Sequence, residues 1–241
     1  MSKGSAKTLI QSALAAVWLR EGTVRRSWFG PYRGLNFALN GPGYTRLGVF
    51  YHAYEQSVTD WLKSAVQPGM TVYVVGAHVG IHVLYIGGLL KGQGKIVAFE
   101  GWPENLAVLK QNIGLNPQLG VEIVPVQECV ARESGTIVMA RGGSDGKHHI
   151  AGEGESNAET LEVPATSLDD FWSKSGARPD LILIDIEGYE LDALQGAEKL
   201  IQACKPRLVL EHHNRADVLL KWLADHDYTV QRQDKRHIFT A

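Results

Sequence analysis

Two rhythms of apolar residues alternate along the chain. Short runs of β-branched and aromatic residues read as buried strands, and segments with apolar positions three and four apart read as helices. Residues 55–66 carry Val58, Trp61, Leu62, Ala65 and Val66 on one helical face and stop at Pro68-Gly69. Residues 71–75 follow as a strand that enters Gly76-Ala77-His78-Val79-Gly80, and an apolar helix runs from Ile81 to about Leu90. Beyond it the pattern predicts strands over 95–100, 121–126, 181–185 and 207–211, and helices over 104–112, 168–174, 191–202 and 216–225. Residues 135–140 and 160–163 are expected as antiparallel additions around a polar, glycine-rich loop, 141–157. The end, 228–233 and 236–240 around Asp234-Lys235, reads as a closing hairpin. Ahead of all this, 8–19 reads as an amphipathic helix, and 23–29 and 35–39 as a hairpin joined by Gly30-Pro31-Tyr32-Arg33-Gly34. This alternation implies a parallel sheet with helices on both faces. We expect an N-terminal helix and β-hairpin extension over 1–50 and one main domain over 51–241.

Composition adds limits. The chain has 241 residues, 44% of them hydrophobic, enough for a full core. The net charge of -2 gives no reason to expect a nucleic-acid partner, although the first fifty residues carry seven Lys or Arg against Glu21 alone. That basic stretch is read as a solvated face. Cys129 and Cys204 are too far apart in sequence for a paired motif, so we expect no disulfide framework and a cytoplasmic protein. The apolar segment near the N-terminus is interrupted by Gln11 and Ser12 and is too short to span a bilayer.

In sheets of this kind ligands bind at the carboxyl ends of the strands, where the winding reverses. Gly76, Glu100, Asp185 with Glu187, and Glu211-His212-His213 should meet there. A strand, a glycine turn and a helix N-terminus suit a nucleotide, because glycine lets the backbone approach and free amides face the ligand. Glu100 lies twenty residues beyond Gly80, the spacing at which a carboxylate holds ribose hydroxyls. A nicotinamide enzyme would share these features, but His78 stands where its middle glycine belongs. The acids at the 185 and 211 tips, with the two imidazoles, suit proton abstraction from a hydroxyl or a divalent metal held by Asp185, Glu211 and His213. They are also compatible with simple helix capping. His78 and His82 have metal-binding spacing, but the Glu of a metalloprotease motif is missing, and we set a zinc site aside. His148-His149 falls in the polar loop.

These segments resemble the FkbM-type S-adenosylmethionine-dependent methyltransferases. The likeness covers about residues 45 to 215 and rests on several short segments. They are Tyr54-Glu55, Pro68-Gly69, the run from Val72 to Gly80, Ala98-Phe99-Glu100 with Pro103, Asn105 and Asn112, Ser167-Leu168-Asp169-Asp170, Ile184-Asp185-Ile186-Glu187-Gly188-Tyr189-Glu190, and Glu211-His212. It implies an α/β, class I methyltransferase-like (Rossmann-like) fold with a seven-stranded, mostly parallel sheet and a C-terminal antiparallel hairpin. It also implies O-methyl transfer to a hydroxyl-bearing small molecule such as a sugar or natural product. The resemblance assigns Glu55, Gly76, Ala77, His78, Gly80, Glu100 and Gly101 to S-adenosyl-L-methionine, and leaves Asp185, Glu187, Glu211 and His212 as base candidates. A non-catalytic binding protein on the same fold is the alternative, and a homo-oligomer is compatible with either. Three positions depart from the family pattern: Val74 replaces an acid, His78 an Asn, and Gly101 a Pro. Val74 has no acceptor for the cofactor's ammonium group.

Overall fold

The computed structural model describes residues 22–40, 55–142, 149–150 and 159–241. The expected helix over 8–19 and most of the polar loop fall outside them, as do Tyr54 and His148.

Seven strands form the main sheet. They are β3 (Thr71–Val75), β4 (Lys95–Phe99), β5 (Glu122–Val126), β10 (Leu181–Ile184), β11 (Arg207–Glu211), β12 (Val230–Gln233) and β13 (His237–Thr240). Their spatial order is β12-β13-β11-β10-β3-β4-β5, parallel from β5 to β11. β13 runs antiparallel to β11 and pairs with β12 on its other side. This is the expected seven-stranded α/β fold with a closing hairpin.

The central strands are apolar without interruption because both faces are covered. Val72, Val74, Ala98, Leu183 and Val209 belong to one core, under α1 (Gln56–Ala65), α2 (Ile81–Leu89) and α3 (Pro103–Gly114). Tyr73, Val75, Val97, Phe99, Ile182, Ile184 and Leu210 belong to the other. That second core packs α5 (Glu190–Gln195), α6 (Glu198–Cys204) and α7 (Ala216–Asp225) through Ala193, Leu200, Leu219 and Leu223. α4 (Leu168–Ser175) joins them through Leu168.

One expectation gains a placement and another needs correction. The segments read as additions do pair antiparallel, as β7 (Gly135–Ala140) and β9 (Thr160–Thr166), but outside the main sheet. With β6 (Cys129–Val130) and β8 (His149–Ile150) they make a separate four-stranded sheet, which packs Met139 and Val163 on Trp102. The single helix expected over 191–202 is two, α5 and α6. They break at Gly196, whose position a side chain cannot share with the Ala131 carbonyl, and whose own carbonyl accepts the Asp169 amide at 2.9 Å.

The hairpin of β1 (Val24–Arg26) and β2 (Asn36–Ala38) is tied to α3 and the turn that follows it by two asparagines. Asn116 Oδ1 accepts the Asn36 amide and Asn112 Oδ1 the Ala38 amide, each at 2.8 Å. Asn112 Nδ2 also donates to the Val79 carbonyl at 2.7 Å, joining hairpin, helix and glycine turn through one buried side chain.

Candidate functional site

The winding reverses between β3 and β10, and there the strand tips interlock. Gly76 has φ +80°, and a Cβ on it would overlap the Asp185 carbonyl oxygen. Glycine is therefore required by packing as well as by conformation. Gly80 (φ +91°) caps α2, and a Cβ there would press into Leu109 of α3. His78 also has positive φ, +49°, a region in which His and Asn are the better-tolerated side chains. The turn therefore favours a residue of this kind at that position.

The same turn fixes Glu100 at the tip of β4. The His78 amide donates to Glu100 Oε2 and the Trp102 amide to Oε1, both at 2.8 Å, and Asn105 adds a side-chain hydrogen bond. Burial nevertheless dominates and pushes the carboxyl up to about 7. Gly101, next along, is buried against the four-stranded sheet, and a Cβ on it would overlap Cys129 Sγ and crowd Met139 Sδ.

A cleft opens over β10 and β11, lined by Glu55, His82, Asp185, Glu211 and His237 above the apolar Val58, Leu183 and Val209. Glu55, ahead of α1 with φ +41°, meets His82 Nε2 of α2 through Oε2 at 2.6 Å. Burial is the largest influence and opposes its ionisation, but the hydrogen bond and charge of His82, together with the charge of His237, outweigh it and lower its pKa. His82 thus belongs to the cleft, and the structure does not pair it with His78 on a helix, since α2 begins only at Ile81.

At the far wall Asp185, Glu211 and His213 bring one ligand atom each within 4.8 Å of one another. Glu211 is 2% exposed, and Arg236 donates to its Oε1. Burial works against its charge, but hydrogen bonding with Asp185 and the charges of His213 and Arg236 prevail and hold it down at about 2. His213 Nδ1 lies 3.0 Å from Oε1 of Glu190, and Nε2 lies 3.1 Å from Glu187 and 3.4 Å from Glu211. Burial disfavours its protonated form, yet Glu187, Glu190 and Glu211 raise it to about 10.

Asp185, Glu187, Glu211 and His213 therefore meet as expected. His212 does not join them: its Nε2 lies 3.3 Å from the Asp234 carbonyl, the geometry of a structural hydrogen bond. Asp169 and Ser167 are caps. Asp169 accepts the Lys199 and Leu200 amides at the start of α6, and Ser167 Oγ accepts the Asp170 amide. Sequence reasoning missed Arg236 and His237. They reach the rim because β13 is antiparallel and inserted beside β11, which puts its first residue opposite Glu211. No local pattern announces that neighbour.

Comparison with known proteins agrees with this geometry. Residues 75–230 match the family described as the methyltransferase FkbM domain. A curated relative, the hexuronic acid methyltransferase AglP of Haloferax volcanii, is 23% identical over 167 residues, 68% of this chain. The chain spans 64% of that relative's length. Among solved structures, the methyltransferase FkbM of Methylobacillus flagellatus KT superposes with a TM-score of 0.54 at 16% identity, covering 83% of this chain and 55% of that one. A putative rRNA-methylase from Clostridium thermocellum gives 0.51 at 9% identity, covering 77% and 92%. At such identities the structural likeness concerns the fold.

Proposed function

This chain belongs to the methyltransferase FkbM domain family, and on that premise we propose that it transfers a methyl group from S-adenosylmethionine to a hydroxyl of a sugar or sugar-like small molecule. The observation that carries the proposal is the meeting, at one switch point, of the Gly76 turn with its fixed Glu100 and the acidic wall of the cleft.

The residues present fit this cofactor. Glu100 is anchored by two backbone amides and Asn105, and a carboxylate with about four acceptor sites keeps capacity for a ribose hydroxyl. The turn from Gly76 through Ala77 and His78 to Gly80 would lie against the cofactor, with Gly101 behind it. Glu55, on the cleft, is the acceptor for the ammonium group in place of the acid that Val74 lacks. When bound, the sulfonium would supply an activated methyl group, with its own sulfur as the leaving group that keeps the electron pair. The chain's own contribution is alignment of that oxygen and removal of its proton. Asp185 is the acceptor of that proton, since Glu211 is occupied by Arg236 and Glu187 by His213.

An acidic wall favours an acceptor that donates a hydrogen bond over one that brings a carboxylate. The relative from Haloferax acts on a hexuronic acid, so uronic and neutral sugars are the acceptors to try first. Incubation with methyl-labelled cofactor should give an alkali-stable methyl ether. An alkali-labile ester would overturn the hydroxyl assignment. Val74 favours a second reading, a binding protein that retains the fold without transfer. Tight cofactor binding with no labelled product from any acceptor would support it.

A further inference from the structure

The wall of the cleft has an arrangement that proton transfer alone does not require. Glu190 is 1% exposed, yet it spends Oε1 on holding the Gly188 amide and facing His213 Nδ1, each at 3.0 Å. A buried carboxylate on one ring nitrogen holds a proton on Nδ1, so Nε2 is the nitrogen whose proton a cation would displace. Carboxylates commonly orient metal-ligating histidines in this way. Nε2 then faces Asp185 and Glu211. It lies 3.1 Å from Glu187 and 3.4 Å from Glu211, but it makes a well-aligned hydrogen bond with neither. Glu211 Oε2 is likewise buried with no aligned N–H or O–H donor, while Oε1 is held by Arg236 and the Asp185 carboxyl stands within hydrogen-bonding reach. Two buried, inward-facing polar atoms without aligned partners are costly unless a ligand satisfies them.

Charge points the same way. Asp185, Glu187, Glu190 and Glu211 gather around His213, and Arg236 is the guanidinium that reaches a carboxylate among them. Arg215 spends its donor on the Gly188 carbonyl at 2.5 Å. We propose that Asp185, Glu211 and His213 hold one divalent cation of the Mn2+ type, with Glu190 as the positioning residue behind His213 and Glu187 at its edge. A mixed set of two carboxylates and one imidazole suits an ion of intermediate hardness and leaves positions for water or an acceptor oxygen. In the cleft, and resting on the transferase reading above, that ion holds the acceptor hydroxyl and eases loss of its proton. Asp185 then serves as a ligand, and Glu187, released from His213 once Nε2 takes the ion, accepts the proton in its place.

Titration of the full chain with Mn2+, followed by the loss of the free-ion electron paramagnetic resonance signal, tests the site without any turnover. One ion per chain is expected. Asp185→Asn and His213→Gln should each weaken binding at least tenfold, and Glu190→Gln roughly 10- to 100-fold. Circular dichroism of each variant separates lost ligation from lost folding. Absence of Mn2+ binding by the wild-type chain, or binding indifferent to all three substitutions, overturns the site. S-adenosylmethionine titrated in a parallel arm keeps the two ideas apart. Cofactor binding without Mn2+ binding would sink the metal site alone, and Mn2+ binding without cofactor binding would sink the transferase reading alone.

Discussion

At Val74 and Glu100 single side chains decide what the site can hold. Val74 is 1% exposed and sits between Ala98 and Leu183 in register, inside the core beneath α1 and α2. An acid placed there has no donor in the free protein. Val74→Asp should therefore lower stability, by about 2 kcal/mol or more, through an unsatisfied buried group. It should also enlarge the thermal shift produced by S-adenosylmethionine, because the ammonium then gains a second acceptor beside Glu55. Differential scanning fluorimetry with and without cofactor reads both, and an unchanged shift would contradict the role assigned to that position. Glu100 gives a pH signature. Its carboxyl is raised from 4.5 to about 7 by burial, so the folded state binds the proton more tightly than the unfolded chain. That contribution is full below pH 4.5 and is lost as the pH rises through 7, with linkage setting it on the order of 3 kcal/mol. Urea denaturation from pH 5 to 8 should show this fall in the wild type and a flatter profile in Glu100→Gln. Glu100, Asp185 and Glu211 were legible in the sequence because each closes an apolar strand run. Glu190 was visible as one acid among several, but its pairing with His213 depends on a turn with positive φ at Glu187 and Gly188.

Among elements, the tight contacts lie where one strand tip or sheet meets another. Gly76→Ala would place a methyl group on the Asp185 carbonyl and force a side chain to φ +80°, a backbone clash that no rotamer relieves. A loss of several degrees in melting temperature is expected, together with loss of cofactor binding. A near-wild-type melting curve would argue against the interlocked tips. Gly101 presents a softer clash, with the sulfur of Cys129. Gly101→Ala should destabilise the chain, and Cys129→Ala in the same molecule should recover part of that loss, a coupling that a double-mutant cycle measures. A Pro at 101 would meet the same obstacle, so this departure from the family pattern has a packing reason in the four-stranded sheet. Periodicity located β7 and β9 and their antiparallel sense, but alternation does not name a strand's sheet. The break between α5 and α6 was hidden for a similar reason, because Gly196 answers to Ala131 and Arg132, far away in sequence.

In the whole molecule, the alternation of strands and helices was enough to expect the sheet and its rim, since parallel strands with covered faces leave few other arrangements. The insertion of β13 between β11 and β12 was not legible, and with it went Arg236 and His237. Among the described residues no helix is long and apolar enough to cross a membrane. The described residues place the glycine turn with Glu100 and an acidic cleft at the carboxyl ends of the central strands, and the proposed use as a methyltransferase site stands on cofactor binding at Glu100. Isothermal titration of the full chain with S-adenosylmethionine and its demethylated product tests this most directly. The account predicts one-to-one binding of both, weakened roughly tenfold or more by Glu100→Ala as charge-assisted hydrogen bonds are lost. No heat from either ligand, or binding that Glu100→Ala leaves unchanged, would contradict it.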